Sequence, residues 1–211
     1  MKYTHSIILL HGFSMNKEDM NYYVNKINDI IPIKCNIKFI IPNAPKRKTT
    51  IYDNQLYQSW YDYLTPHCNK EPDINEKHLL QTRYKIHKLI KKEINYYNDA
   101  SKVFLCGMSQ GCCVAIDACI TFPETIGGII GFKGHVISKS YDDFKTQQSL
   151  WISHGKKDKT IFWDFAKKTY DLLKKINPDI KIILQENVNH GVHSGIILEM
   201  KSLKKWLNSR L

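Results

Sequence analysis

The sequence predicts a doubly wound α/β fold on a mostly parallel sheet, and three observations predict it. Short, continuous apolar runs recur along the 211 residues, the mark of strands buried on both faces. Stretches with helical spacing separate these runs, so successive strands need crossover connections and lie parallel. No internal repeat, low-complexity tract or linker rich in Gly, Ser or Pro divides the chain, which reads as one domain over residues 1–211.

Taken in order, the first strand is expected at Ser6 to Leu10, running into His11-Gly12, and the second at Asn36 to Ile41, stopped by Pro42. Further strands are expected at Val103 to Cys106, Ile126 to Gly131, Leu150 to Ser153 and Ile180 to Leu184. Helices are expected at about Lys17 to Ile31, Ile74 to Tyr97, Gln110 to Thr121, Ile161 to Ile176 and Ser194 to Leu207. In the second helix Leu80, Tyr84, Leu89, Ile90 and Ile94 recur near helical spacing and offer a face to cover the sheet. The stretch from Asn43 to Pro72 has four of the seven prolines in it or next to it and reads as a loop over a site.

The formal charge of +11 raises the question of a nucleic-acid partner. Yet 28 of the 31 basic residues are Lys, spread along the chain, and Ile is equally abundant. That pattern reads as compositional bias, because phosphate recognition favours clustered Arg, and no nucleic-acid partner is expected. Six cysteines without a C-x-x-C pair, in a chain with no visible export signal, are expected to be free thiols in a reducing compartment. No apolar run approaches the roughly 18 residues of a membrane span, so a soluble, cytoplasmic protein is expected. The ending Ser209-Arg210-Leu211 resembles a C-terminal peroxisomal address and keeps that location as an alternative.

Gly107-Met108-Ser109-Gln110-Gly111 lies between a predicted strand and a predicted helix, the context a G-x-S-x-G nucleophile turn requires. A serine on so sharp a turn has strained backbone angles, and only Gly fits two residues either side. The helix beginning at Gln110 would aim amide groups and its positive end at developing negative charge. A serine hydroxyl also needs a base, itself held by an acid, in the chain order Ser, Asp or Glu, His. Asp158 follows the fifth predicted strand closely and fits the acid. His190 and His193, both after the last strand, are candidate bases. Their H-x-x-H spacing has no acidic ligand beside it, so neither a metal nor a cofactor is expected.

With these residues the chain resembles the acyl-protein thioesterase and carboxylesterase family of the α/β-hydrolases, from about His5 to Leu207. Leu10-His11-Gly12-Phe13, Pro42-Asn43-Ala44-Pro45, Ser59-Trp60-Tyr61-Asp62, the nucleophile turn and His154-Gly155 with Asp158 carry the resemblance. It implies an α/β-hydrolase fold without a large lid domain and a Ser109, Asp158, His193 triad. His193 is preferred because it precedes Ser194 and runs without a gap into the last helix, with His190 in reserve. The resemblance also implies an oxyanion hole made by the backbone N–H groups of Phe13 and Gln110, whose side chains would be partly replaceable.

On this reading the substrate is an ester or thioester of a small molecule or an acylated protein, cleaved through an acyl-enzyme. A general short-chain carboxylesterase or lysophospholipase is the alternative, and a silent acyl- or partner-binding relative is the alternative outside enzymes. His11 is expected to be a structural, buried ring with both nitrogens bonded, and Trp60 a packing residue or a pocket wall. The sequence departs from the family at Ser14-Met15-Asn16-Lys17, at Cys112 and Cys113, and at Phe132-Lys133-Gly134-His135.

Overall fold

A computed structural model of the chain describes residues 2–66, 69–191 and 196–211. In chain order the first half holds β1 (His5–Leu10), α1 (Asn21–Asn28), β2 (Ile37–Ile40), β3 (Lys46–Thr49), β4 (Gln55–Gln58) and α2 (Glu76–Tyr97). The second half holds β5 (Val103–Met108), α3 (Gln110–Ile120), β6 (Gly128–Phe132), β7 (Leu150–Gly155), α4 (Trp163–Ile176), β8 (Ile180–Gln185) and α5 (Ile196–Asn208). Six strands form one sheet in the order β2-β1-β5-β6-β7-β8, and every pairing in it is parallel. The chain winds from β1 outward to β2, then restarts at β5 on the other side of β1. The strand order therefore reverses between β1 and β5, which is where a doubly wound sheet opens a crevice at its carboxyl edge.

Alternation along each strand explains the two layers of helices. Ile8, Leu10, Val103, Leu105, Ile129, Leu150 and Ile152 face one core, shared with residues of α2, α3 and α4. Ile7, Leu9, Phe104, Cys106, Ile130 and Trp151 face the other, closed by Tyr23 and Ile27 of α1 and Met200, Leu203, Trp206 and Leu207 of α5. Burying each such side chain contributes about 1.5–3 kcal/mol. Among the described residues no helix is long and apolar enough to cross a membrane. The described cysteines are free thiols, four of them buried; Cys68 lies outside the described residues.

Three expectations are corrected. The buried face of α2 carries Leu79, Thr82, Arg83, Ile86, Ile90, Glu93 and Ile94, while Leu80 and Tyr84 are exposed. Polar anchors displaced the apolar pattern. Arg83 makes a paired contact with buried Asp117 of α3 (3.0 and 2.7 Å), Thr82 donates to the Trp60 carbonyl (2.6 Å), and Glu93 accepts from Ser6 of β1 (2.6 Å). Second, the presumed loop from Asn43 to Pro72 contains the antiparallel hairpin of β3 and β4. Lys46-Arg47-Lys48-Thr49 has no apolar alternation, so periodicity could not find it. The first helix is also shorter than expected, opening with a 3-10 turn at Glu18–Met20.

The end of the chain is packed. Arg210 stacks over Trp206 at 4.3 Å and donates to Ser149 and Asp179, and Leu211 packs against the second core.

Candidate active site

Ser109 sits at the carboxyl end of β5 with φ 52° and ψ −119°, a conformation that costs a non-glycine residue on the order of 1–3 kcal/mol. Its surroundings hold it there. The Ser109 amide donates to the Phe132 carbonyl (2.8 Å), and its carbonyl accepts from Cys112 (2.9 Å) and Cys113 (3.1 Å) at the start of α3. A Cβ on Gly107 would strike the Gly111 carbonyl, and one on Gly111 would strike the carbonyl oxygens of Leu10 and His11. The glycines two residues either side of Ser109 are therefore required by close approach of backbone to backbone.

Asp158 lies in the turn after β7, buried to 3 % exposure. One carboxylate oxygen, Oδ1, accepts from the amides of Thr160 (2.9 Å) and Ile161 (2.8 Å). The other, Oδ2, accepts from His190 Nδ1 at 2.7 Å. Burial works to raise the Asp158 pKa, but the hydrogen bond and charge of His190, helped by the Ile161 amide, carry it below the ordinary carboxylate range. His154 lies 3.6 Å from the same Oδ2, but its Nε2 donates to the Ile161 carbonyl (2.9 Å), and burial lowers its pKa to about 4. It is a neutral ring beneath the carboxylate.

The ring that bridges to the serine is His190. Because Asp158 can only accept, His190 Nδ1 carries the proton and Nε2 is left as the acceptor for the Ser109 hydroxyl, 2.8 Å away. Sequence reasoning gave this place to His193, which lies outside the described residues. The placement of His190 has a geometric cause. Gly155 has no side chain, so the Val188 carbonyl packs directly against it, and the Lys157 amide donates to Val188 at 3.0 Å. The chain after β8 thus folds back onto the acid turn, and residue 190 reaches the serine.

The other predicted residues fall around this relay. His11 Nε2 accepts from the Ala44 amide (2.9 Å) and Nδ1 donates to the Gly12 carbonyl (2.8 Å), so it is the doubly bonded structural ring that was expected. Burial lowers its pKa, consistent with a neutral ring. Trp60 is 3 % exposed and donates through Nε1 to the His11 carbonyl (2.8 Å), a packing role. The Gln110 side chain is held by hydrogen bonds of its own. Its Oε1 accepts from the Trp60 amide (2.9 Å), and its Nε2 donates to the Tyr61 carbonyl (2.9 Å) and the Ser59 hydroxyl (3.0 Å). Phe13 is likewise packed, its ring 5.4 Å from Tyr52 and 5.8 Å from Tyr63.

A cavity of about 340 Å³ opens beside Ser109 and His190. Phe13, Met15, Ile51, Tyr52, Tyr63 and Met108 give it mainly apolar walls. Sequence reasoning missed Ile51, Tyr52 and Tyr63 as site residues, because the whole stretch was read as loop; Ile51 and Tyr52 lie in the connection of the β3–β4 hairpin and Tyr63 follows β4.

The profile of the phospholipase/carboxylesterase family matches residues 1–211. The chain belongs to this family. It is 24% identical to carboxylesterase SOBER1 of Arabidopsis thaliana over 83% of this chain and 78% of that one. It is also 24% identical to acyl-protein thioesterase 1 of Yarrowia lipolytica, over 99% of this chain and 93% of that one. Among solved structures, Arabidopsis thaliana SOBER1 superposes with a TM-score of 0.84 at 21% identity, over 98% of each chain. Acyl-protein thioesterase 2 of Zea mays superposes at 0.77 with 15% identity, over 100% of this chain and 95% of that one. The fold of this family member is the α/β-hydrolase fold. Family membership makes it a hydrolase of carboxylic esters or thioesters.

Proposed function

We propose that the chain is a serine hydrolase in which Ser109 is the nucleophile, His190 the base and Asp158 the group that orients it. One observation carries the reading: an unbroken run of contacts from Asp158 through both nitrogens of His190 to the Ser109 hydroxyl, at 2.7 and 2.8 Å. As Oγ attacks the carbonyl carbon, its proton passes to His190 Nε2, and Asp158 stabilises the imidazolium. The carbonyl oxygen takes the electron pair and is held by the amides of Phe13 and Gln110. Gln110 opens α3, so its amide has no acceptor within the helix and points toward the charge. Collapse of the tetrahedral species expels an alcohol or thiol, which takes the proton from His190. Water then attacks the acyl-enzyme, giving its proton to His190, and Ser109 leaves with that proton restored. No step uses a metal or a cofactor.

The apolar cavity beside Ser109 is suited to the acyl part of the substrate. The relatives named acyl-protein thioesterase favour an acylated protein as donor. Those named carboxylesterase favour a small ester. A fluorophosphonate probe and a panel of acyl esters and thioesters of graded length test the reading together. The wild type should label at Ser109 and turn over the panel, and a folded Ser109→Ala variant should do neither. Wild-type protein that neither labels nor turns over any member would overturn it.

A further inference from the structure

Lys133 follows β6 directly, at a position where the sequence departs from the family resemblance, and its side chain is completely buried. An ammonium taken out of water is costly unless strong partners meet it, so what it touches matters. Its Nζ donates to the carbonyl of Gly191 at 2.6 Å, one residue beyond His190. Its own amide donates to the Ser153 carbonyl at 2.8 Å, on the strand that leads into the Asp158 turn. The residue also holds a left-handed backbone, φ 55°, which a non-glycine residue adopts only where its surroundings hold it there.

Charged groups face Lys133 from two other elements. Glu199 of α5 is buried and accepts through Oε1 from Ser153 (2.8 Å) and Gln185 (2.8 Å). Burial pushes the Lys133 pKa down, and the carboxylates of Glu199 and Asp158 oppose it. Burial pushes the Glu199 pKa up, and Lys133 opposes that in turn. The cation therefore sits among the acid turn, the last helix and the loop that carries His190.

We propose that Lys133 is a positioning residue: its buried ammonium holds the Gly191 carbonyl and so keeps the His190 ring between Ser109 and Asp158. This rests on His190 being the base. Removing the donor would let the loop wander and misplace the proton acceptor while leaving the acyl cavity intact. The expected signature is a loss in kcat at nearly constant KM.

The test is steady-state hydrolysis of a p-nitrophenyl ester by Lys133→Met. Because that change strands the Glu199 carboxylate without its cation, the paired variant Lys133→Met with Glu199→Gln is measured beside it, and thermal unfolding reports folding. The paired variant should melt within a few degrees of wild type, lose tenfold or more in kcat, keep KM within about threefold, and label more slowly with fluorophosphonate. A folded paired variant with kcat within threefold of wild type would overturn the proposal. An active His190→Ala variant would instead remove the reading on which it rests.

Discussion

At the scale of single residues, Gln110 has two separable duties. In the proposed mechanism its amide serves the oxyanion, while its side chain ties the Ser59-Trp60-Tyr61 segment to the start of α3 through three hydrogen bonds. Each such bond contributes about 1 kcal/mol net, so Gln110→Ala should lower stability by roughly 2–3 kcal/mol in urea unfolding. It should also raise KM more than it lowers kcat, since the amide stays in place. A variant with unchanged stability and KM would contradict the anchoring role. Ser109 and Asp158 were legible in the sequence, because each closely follows a recognisable strand. His190 was held in reserve because the resemblance favoured His193, which precedes Ser194, and the fold-back onto Gly155 that brings His190 to Ser109 is a tertiary contact. Lys133 left a fainter trace, a cation closing an apolar run.

At the scale of elements, the packing of α3 onto β1 leaves no room at Gly111, which lies against the carbonyl oxygens of Leu10 and His11. Gly111→Ala should therefore shift backbone against backbone and destabilise by about 3 kcal/mol, the upper end of overpacking costs. Because His11 leads into Gly12 and Phe13, activity should fall with it; a stable, active variant in urea unfolding and esterase assays would contradict this account. The six strands of the sheet were legible because the four inner strands, buried on both faces, leave continuous apolar runs, and the edge strands β2 and β8 stay largely apolar. The buried face of α2 was misread because Arg83, Thr82 and Glu93 occupy it as paired polar groups, to which hydrophobic periodicity is blind. The β3–β4 hairpin escaped for a related reason: β3 is mostly charged, β4 mostly polar, and only Thr49 of the two strands is buried.

At the scale of the whole molecule, the reversal of strand order between β1 and β5 brings the Gly12-Phe13 loop and Ser109 to one edge of the sheet, and the turns after β7 and β8 complete the site. The same arrangement buries neutral histidines, with a consequence for acid stability. Burial lowers the His154 pKa to about 4 from the model-peptide 6.5. Between those values His154 binds a proton in the unfolded chain that it refuses in the folded one, so its contribution to stability is complete above pH 6.5 and is lost as pH drops toward 4. The shift corresponds to about 3 kcal/mol, and burial of His11 and His87 acts in the same direction. Urea unfolding from pH 7 to 4 should show a shallower decline for His154→Gln, which keeps a donor for Ile161, than for wild type; equal slopes would contradict the assignment.

The relay Asp158, His190, Ser109 is most directly tested by comparing His190→Ala and His193→Ala in kcat/KM toward one p-nitrophenyl ester, with circular dichroism confirming that both are folded. Loss of a triad base costs on the order of 10³-fold or more. The account predicts that loss for His190→Ala and activity within tenfold of wild type for His193→Ala. A folded His190→Ala enzyme that keeps its activity while His193→Ala is dead would contradict it.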